Sequence, residues 1–120
     1  MTALSIATDR PSFHALNGNA PIGITQVFPA ANYTGTVSQV TRLNAHYWSI
    51  TTREVRNAFS NPTLGVSAHV WFDQASGQHV ADYHHPQSGT VEITRTWDVR
   101  AALGAAIDST AERGHQAYRW

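Results

Sequence analysis

The 120-residue sequence contains no cysteine and no lysine, and only 13% of its residues are charged. The absence of cysteine excludes disulfides and thiolate metal sites. The 8 basic residues are all arginine and are balanced by 8 acidic ones, so attraction to nucleic acid would need a local basic patch. No apolar run approaches the roughly 18 residues of a membrane span, and no basic stretch followed by an apolar core marks a secretion signal. We therefore expect one cytoplasmic domain of typical size.

Alternation of apolar and polar residues predicts a chain made mostly of strands. The clearest strand is Val66–Asp73, with Val66, Ala68, Val70 and Phe72 on one face and Ser67, His69, Trp71 and Asp73 on the other. Other predicted strands are Ala3–Ala7, a segment around Ile22–Val27 that ends at Pro29, Thr36–Leu43, Tyr47–Arg53, Gln78–His84 and Thr90–Trp97. Residues 52–60 stay open, because Thr51–Glu54 fits either a capping box before a short helix or the continuation of a strand.

One amphipathic helix is predicted near the C-terminus. Asp98 suits its N-cap, and one helical face is formed by Val99, Ala102, Leu103, Ala106, Ile107 and Thr110. Arg113 and Gly114 predict the end of the helix, which leaves a short tail. A glycine inside a helix, such as Gly104, costs about 1 kcal/mol relative to alanine. Two explanations for its presence stay open: close approach of the helix to another surface, or a tolerated glycine on an exposed turn.

Strands followed by one helix, with no βαβ alternation, predict an α+β fold with an antiparallel sheet of about five strands. We expect a single domain over 1–120, divided into an N-terminal hairpin (1–28), a sheet (36–97), a helix (98–113) and a tail (114–120). A helix of about 15 residues is too narrow to cover such a sheet, so one face must meet loops, solvent or another copy of the chain.

Two groups of polar residues invite chemical hypotheses. If strands 66–73 and 78–84 pair, His69, Asp82 and His84 share a face with Ser67, as a zinc site or a Ser/His/Asp group would require. The alternative is a solvated polar face. Arginines close to aromatic residues suit single-stranded nucleic acid, although they also occur on ordinary surfaces; the residues concerned are Arg42, Tyr47, Trp48, Arg53 and Arg56.

The order of elements resembles the coat proteins of small single-stranded RNA bacteriophages, the leviviruses. Four passages carry the resemblance: Ile24–Pro29 with the following loop to Gly35, His46–Arg53, Gly65–Phe72, and Thr90–Trp97 leading into 98–114. The resemblance implies a homodimer in which the helix of each copy packs on its partner subunit. Such dimers assemble into an icosahedral shell around phage RNA in the bacterial cytoplasm, forming the virion.

The same resemblance implies which residues would bind RNA. By position they are Ser49, Thr51, Arg53, Ser67 and His69, the last standing where the family usually has Lys or Arg. Contacts between dimers would fall on the turns Gln74–Gly77 and His85–Gly89. The expected protein is structural and is not an enzyme, and it needs no cofactor, no metal and no membrane partner.

Overall fold

The computed structural model describes residues 20–29, 36–54 and 66–118. These form one antiparallel sheet in which each strand pairs with the next along the chain, followed by one helix. The elements are β1 (Thr25–Pro29), β2 (Thr36–Asn44), β3 (Tyr47–Glu54), β4 (Val66–Asp73), β5 (Gln78–His85), β6 (Gly89–Thr96) and α1 (Val99–Tyr118). The α+β prediction is confirmed. The sheet has six strands rather than about five, because β1 pairs with β2 along its whole length.

Three sequence predictions concern residues only partly described. The first strand of the predicted N-terminal hairpin, Ala3–Ala7, lies outside the described residues. The ambiguous segment 52–60 is a strand as far as Glu54, and residues 55–65 lie outside the described part of the chain. The tail after Gly114 is helical to Tyr118, with 119–120 not described.

The turn between β4 and β5 fixes the register of the centre of the sheet. Gly77 has φ 75°, and its N–H donates to the carbonyl of Asp73 at 2.8 Å. A Cβ on Gly77 would also lie 3.3 Å from the Trp97 ring, so glycine meets both a backbone and a space requirement. The Asp73 carboxylate accepts a hydrogen bond from the N–H of Ala75 at 3.1 Å, as in an Asx turn. This turn places His69 directly opposite Asp82.

The start of α1 matches the prediction and its end does not. The Asp98 carboxylate accepts a hydrogen bond from the Arg100 N–H at 2.9 Å, which confirms it as the N-cap. The helix does not end at Arg113 and Gly114 but continues to Tyr118. Arg113 anchors the last turns, because its guanidinium donates to the Ser67 carbonyl at 3.0 Å and lies 3.7 Å from the Tyr83 ring centroid.

The core lies between α1 and one face of the sheet of the same chain. Leu103 and Ile107 are buried against a sheet face that includes Ile50 and Val70, all at most 1% exposed. The resemblance implied a helix on a partner subunit, whereas in the single chain it covers its own sheet. The connection between β6 and α1 consists only of Trp97 and Asp98, and α1 lies back over the strands after it.

Buried hydroxyl groups connect the helix to the sheet within this core. Ser38, Thr52 and Thr110 are all fully buried. The Thr52 hydroxyl donates to Thr110 Oγ1 at 2.6 Å, and the Thr110 hydroxyl donates to the Ile107 carbonyl at 2.9 Å. Because Thr52 has only one hydroxyl hydrogen, Ser38 must be the donor in its 3.2 Å contact with Thr52. The three hydroxyls therefore form a one-way chain of hydrogen bonds from β2 to α1.

Candidate nucleic-acid interface

The sheet face opposite α1 carries most of the residues predicted to bind RNA. Side chains alternate between the two faces of a strand, so the burial of Ile50, Ala68 and Val70 under the helix turns their neighbours outward. We call this outward side the open face, defined by Ser49 and Thr51 on β3, Ser67 and His69 on β4 and Asp82 on β5. Ser67 is exposed, and the other four are half-buried.

The register brings four of the five predicted residues into one block. Ser49 lies directly opposite His69, and Thr51 lies directly opposite Ser67. Directly opposed residues in antiparallel strands have Cβ atoms about 5 Å apart, so the four side chains form a compact patch. The fifth residue, Arg53, follows on β3 opposite Val37 of β2, and its side chain lies outside the described part of the structure.

The hydroxyl-bearing patch continues toward the edge of the sheet. Ser49 is opposite Thr41, and Thr41 is in turn opposite Thr25 of β1. The Thr25 and Thr41 hydroxyls are hydrogen-bonded at 2.7 Å. Beside this row, Thr51 is opposite Gln39. The β1–β4 part of the open face thus offers uncharged donors and acceptors over several strands.

Aromatic side chains border the patch, and one of them, Trp71, was not among the residues that the sequence predicted to contact nucleic acid. Tyr47 lies opposite Trp71, and its ring centroid is 5.6 Å from that of His69. The Trp71 indole reaches toward β5, where its Nε1–H donates to Asp82 Oδ2 at 2.8 Å. The strand alternation alone places Trp71 on the same face as His69. Its contact with Asp82 depends on the β4–β5 register, which the sequence left open.

Charge divides the open face into two parts. At the β5–β6 side, Arg95 binds Asp73 at 2.6 Å and Glu92 at 3.0 Å, so its charge is balanced locally. The Arg95 guanidinium and the Ser76 hydroxyl lower the pKa of Asp73, and the bond to Asp73 raises the pKa of Arg95. Glu92 lies directly opposite Asp82. This side of the face is therefore rich in carboxylates, and it would repel phosphate groups.

The predicted His/Asp group shares a face but does not form a metal site. His69 is directly opposite Asp82, as the pairing of β4 with β5 predicted. The Asp82 carboxylate, however, accepts its hydrogen bond from Trp71 and not from His69. Within 20–29, 36–54 and 66–118, no three metal-ligating side chains converge as a metal ion requires.

The second predicted group, arginines with aromatic residues, is split between the two faces. Arg42 lies opposite the buried Trp48 on the side that α1 covers, with its guanidinium carbon 5.7 Å from the indole centroid. Its guanidinium donates to the carbonyls of Ala20 and Ala45 at 3.0 and 3.1 Å. Arg42 therefore supports the fold near the β2–β3 turn and does not join Tyr47 on the open face. Arg56 lies outside the described residues.

Comparisons with known proteins give no further assignment. No family model matches the chain, and neither the curated proteins nor the solved structures contain a match. In the part of the chain that the structure describes, no helix has the length and apolar character needed to cross a bilayer.

Proposed function

We propose that this chain is the coat protein of a small single-stranded RNA bacteriophage. It forms homodimers that assemble into an icosahedral shell around the phage RNA, and its role is structural rather than enzymatic. The observation that carries the proposal is the open face, where Ser49, Thr51, Ser67 and His69 occupy neighbouring register positions on a sheet whose other face holds the helix. The levivirus resemblance supports the same residues by position.

The β1–β4 part of the open face suits RNA because it offers many uncharged hydrogen-bond donors and acceptors. Small hydroxyl residues such as Ser49, Thr51 and Ser67 leave shallow depressions on the sheet surface, where they can hydrogen-bond to the edge of an unpaired base. Arg53 supplies a cation for phosphate contact, and His69 contributes its ring to contact with a base. Since such contacts release counterions, RNA binding weakens as salt concentration rises. In the shell this face points inward, toward the RNA.

The edge of β6 supplies the surface for a dimer. Among the described residues, β6 pairs only with β5, so its outer edge leaves backbone groups available for another strand. Antiparallel pairing of two β6 strands about a two-fold axis would extend the six-stranded sheet into its partner. Because α1 follows β6 after two residues, it lies beside this junction, and exchange of α1 between the copies would give the interlocked dimer of the levivirus family.

The dimer and its RNA are tested together on protein purified from bacteria. Size-exclusion chromatography with light scattering should give a dimer after disassembly in high salt, and the undissociated sample should contain RNA that resists nuclease. A monomer at all salt concentrations, free of protected RNA, would contradict the proposal.

One observation favours a second candidate, a small hydrolytic domain that uses the His/Asp face. His69 is directly opposite Asp82 on one side and Ser49 on the other, so the residue types of a Ser/His/Asp site lie next to one another. Hydrolysis of activated ester substrates separates the two proposals. Turnover that is lost in a His69→Ala variant would favour the second candidate, and the coat-protein proposal expects none.

A further inference from the structure

A compact group of side chains on the open face has a chemistry that the proposed phosphate and hydroxyl contacts do not use. It consists of Tyr47, His69, Trp71 and Asp82. The Tyr47 and His69 ring centroids are 5.6 Å apart, and Asp82 faces His69 across the β4–β5 ladder. The Trp71 indole is tied to Asp82 by a 2.8 Å hydrogen bond. Three rings and one carboxylate, each half-buried, therefore lie together on the open face.

The carboxylate is held in place but keeps acceptor capacity. Trp71 Nε1–H binds Oδ2 of Asp82, and Oδ1 accepts no hydrogen bond from any residue that the structure describes. An ionised carboxylate has about four acceptor positions on its two oxygens, so capacity remains for a ligand. Partial burial raises the pKa of Tyr47, and the negative charge of Asp82 adds to the effect.

We propose that Tyr47, His69, Trp71 and Asp82 form a subsite for an unpaired nucleobase that carries an exocyclic amino group; this inference rests on the proposed binding of single-stranded RNA. Aromatic rings stack on bases of any kind. Asp82 adds selectivity, because a carboxylate accepts a hydrogen bond from the amino group of cytosine or of another amino-bearing base. Uracil has carbonyl oxygens at both positions beside its ring N–H, and the carboxylate repels them.

The surrounding charges favour entry of a base and disfavour entry of the phosphate backbone. Glu92 lies directly opposite Asp82, and Asp73 belongs to the same side of the face. Arg95, which lies between them, is already paired with both Asp73 and Glu92. A bound strand therefore runs its phosphates over the hydroxyl-bearing strands β2 and β3 and turns a base toward Asp82.

The sharpest test compares cytosine with uracil, which carries a carbonyl oxygen where cytosine has its exocyclic amino group. Binding of ten-nucleotide oligocytidylate and oligouridylate to the intact dimer is measured by fluorescence anisotropy at one fixed salt concentration. We expect cytidylate to bind at least about fivefold more tightly, as one specific base contact provides. In Asp82→Asn the amide oxygen can still accept from Trp71, while the new amino group can donate to uracil. The preference should therefore vanish or reverse.

Glu92→Gln is the matched control, because it neutralises the neighbouring carboxylate in the same sheet row. It should leave the cytidylate preference within about twofold of the unchanged protein, because Glu92 lies outside the ring cluster. Equal binding of the two oligonucleotides by the unchanged protein, or equal effects of the two substitutions on their ratio, would overturn the subsite while leaving RNA binding intact. Failure of the unchanged dimer to bind either oligonucleotide would overturn the subsite and the proposed RNA binding together.

Discussion

Substitutions along the buried hydroxyl chain should have unequal effects on stability, although all three residues are fully buried. The hydrogen bonds run in one direction, from Ser38 to Thr52, then to Thr110, and finally to the carbonyl of Ile107. Thr110→Val removes the acceptor of the Thr52 hydroxyl and leaves that donor buried without a partner. A buried unsatisfied group of this kind costs about 1–3 kcal/mol. Ser38→Ala removes only the first donor, and the bonds made by Thr52 and Thr110 stay in place.

The loss for Ser38→Ala should be that of one ordinary hydrogen bond, about 0.5–1.5 kcal/mol. In a triple variant, Ser38→Ala, Thr52→Val and Thr110→Val, no hydroxyl is left unpaired. Replacing all hydrogen-bonding partners by apolar groups of similar shape is close to neutral, so the triple variant should cost less than Thr110→Val alone. The couplings between the three sites should therefore be large and favourable.

Equilibrium unfolding in urea, followed by tryptophan fluorescence at one protein concentration, measures these differences. We expect Thr110→Val to lower the midpoint by about 1 M at an ordinary m-value, with Ser38→Ala shifting it less. Additive losses in the triple variant, or a larger loss for Ser38→Ala than for Thr110→Val, would refute the direction of the hydrogen-bond chain.

Three further predictions concern RNA binding, pH and the helix N-cap. Arg53→Ala should weaken RNA binding by about 1 kcal/mol or more and lower its salt dependence while dimers persist, whereas Arg100→Ala, the same charge change at the start of α1, should leave filter-binding affinity unchanged. Burial lowers the pKa of His79 below its ordinary 6.5, with His46 adding to the effect, so the folded state binds this proton less readily than the unfolded one. The contribution of His79 to the free energy of unfolding should therefore be fully present above pH 6.5 and decrease as the pH drops below it; His79→Phe should flatten this pH dependence in urea titrations, and an unchanged pH dependence in that variant would contradict the assignment. Asp98→Ala should lower the free energy of unfolding by about 1 kcal/mol through loss of the N-cap, and an unchanged thermal midpoint would contradict that role.

Local patterns predicted the strands well because each depends on its own alternation. Val66–Asp73 has the predicted bounds, and its buried residues Ala68 and Val70 fall on the predicted face. Asp98 was predicted as the N-cap from the helical spacing that follows it, and the structure confirms that assignment. These features need only neighbouring residues, so the sequence was sufficient.

Features that depend on distant contacts were not predictable. Arg113 and Gly114 indicate a helix end in the sequence, but α1 continues to Tyr118, and Arg113 in its last turns contacts the distant Ser67 carbonyl and Tyr83 ring. The hydrogen bond between Trp71 and Asp82 depends on the β4–β5 register, because a shift of one residue would turn Asp82 to the other face of the sheet. The amphipathic pattern of α1 likewise marks which helix face is buried, but it does not say whether that face covers the chain's own sheet or a partner's.

Electron microscopy of the assembled protein tests the central claim most directly. Protein expressed in bacteria, purified without high salt and viewed in negative stain should form closed particles of uniform diameter, and nuclease-treated particles should still contain RNA. A homogeneous monomer or dimer that never assembles, whether or not RNA is added, would contradict the proposal that this chain is a coat protein.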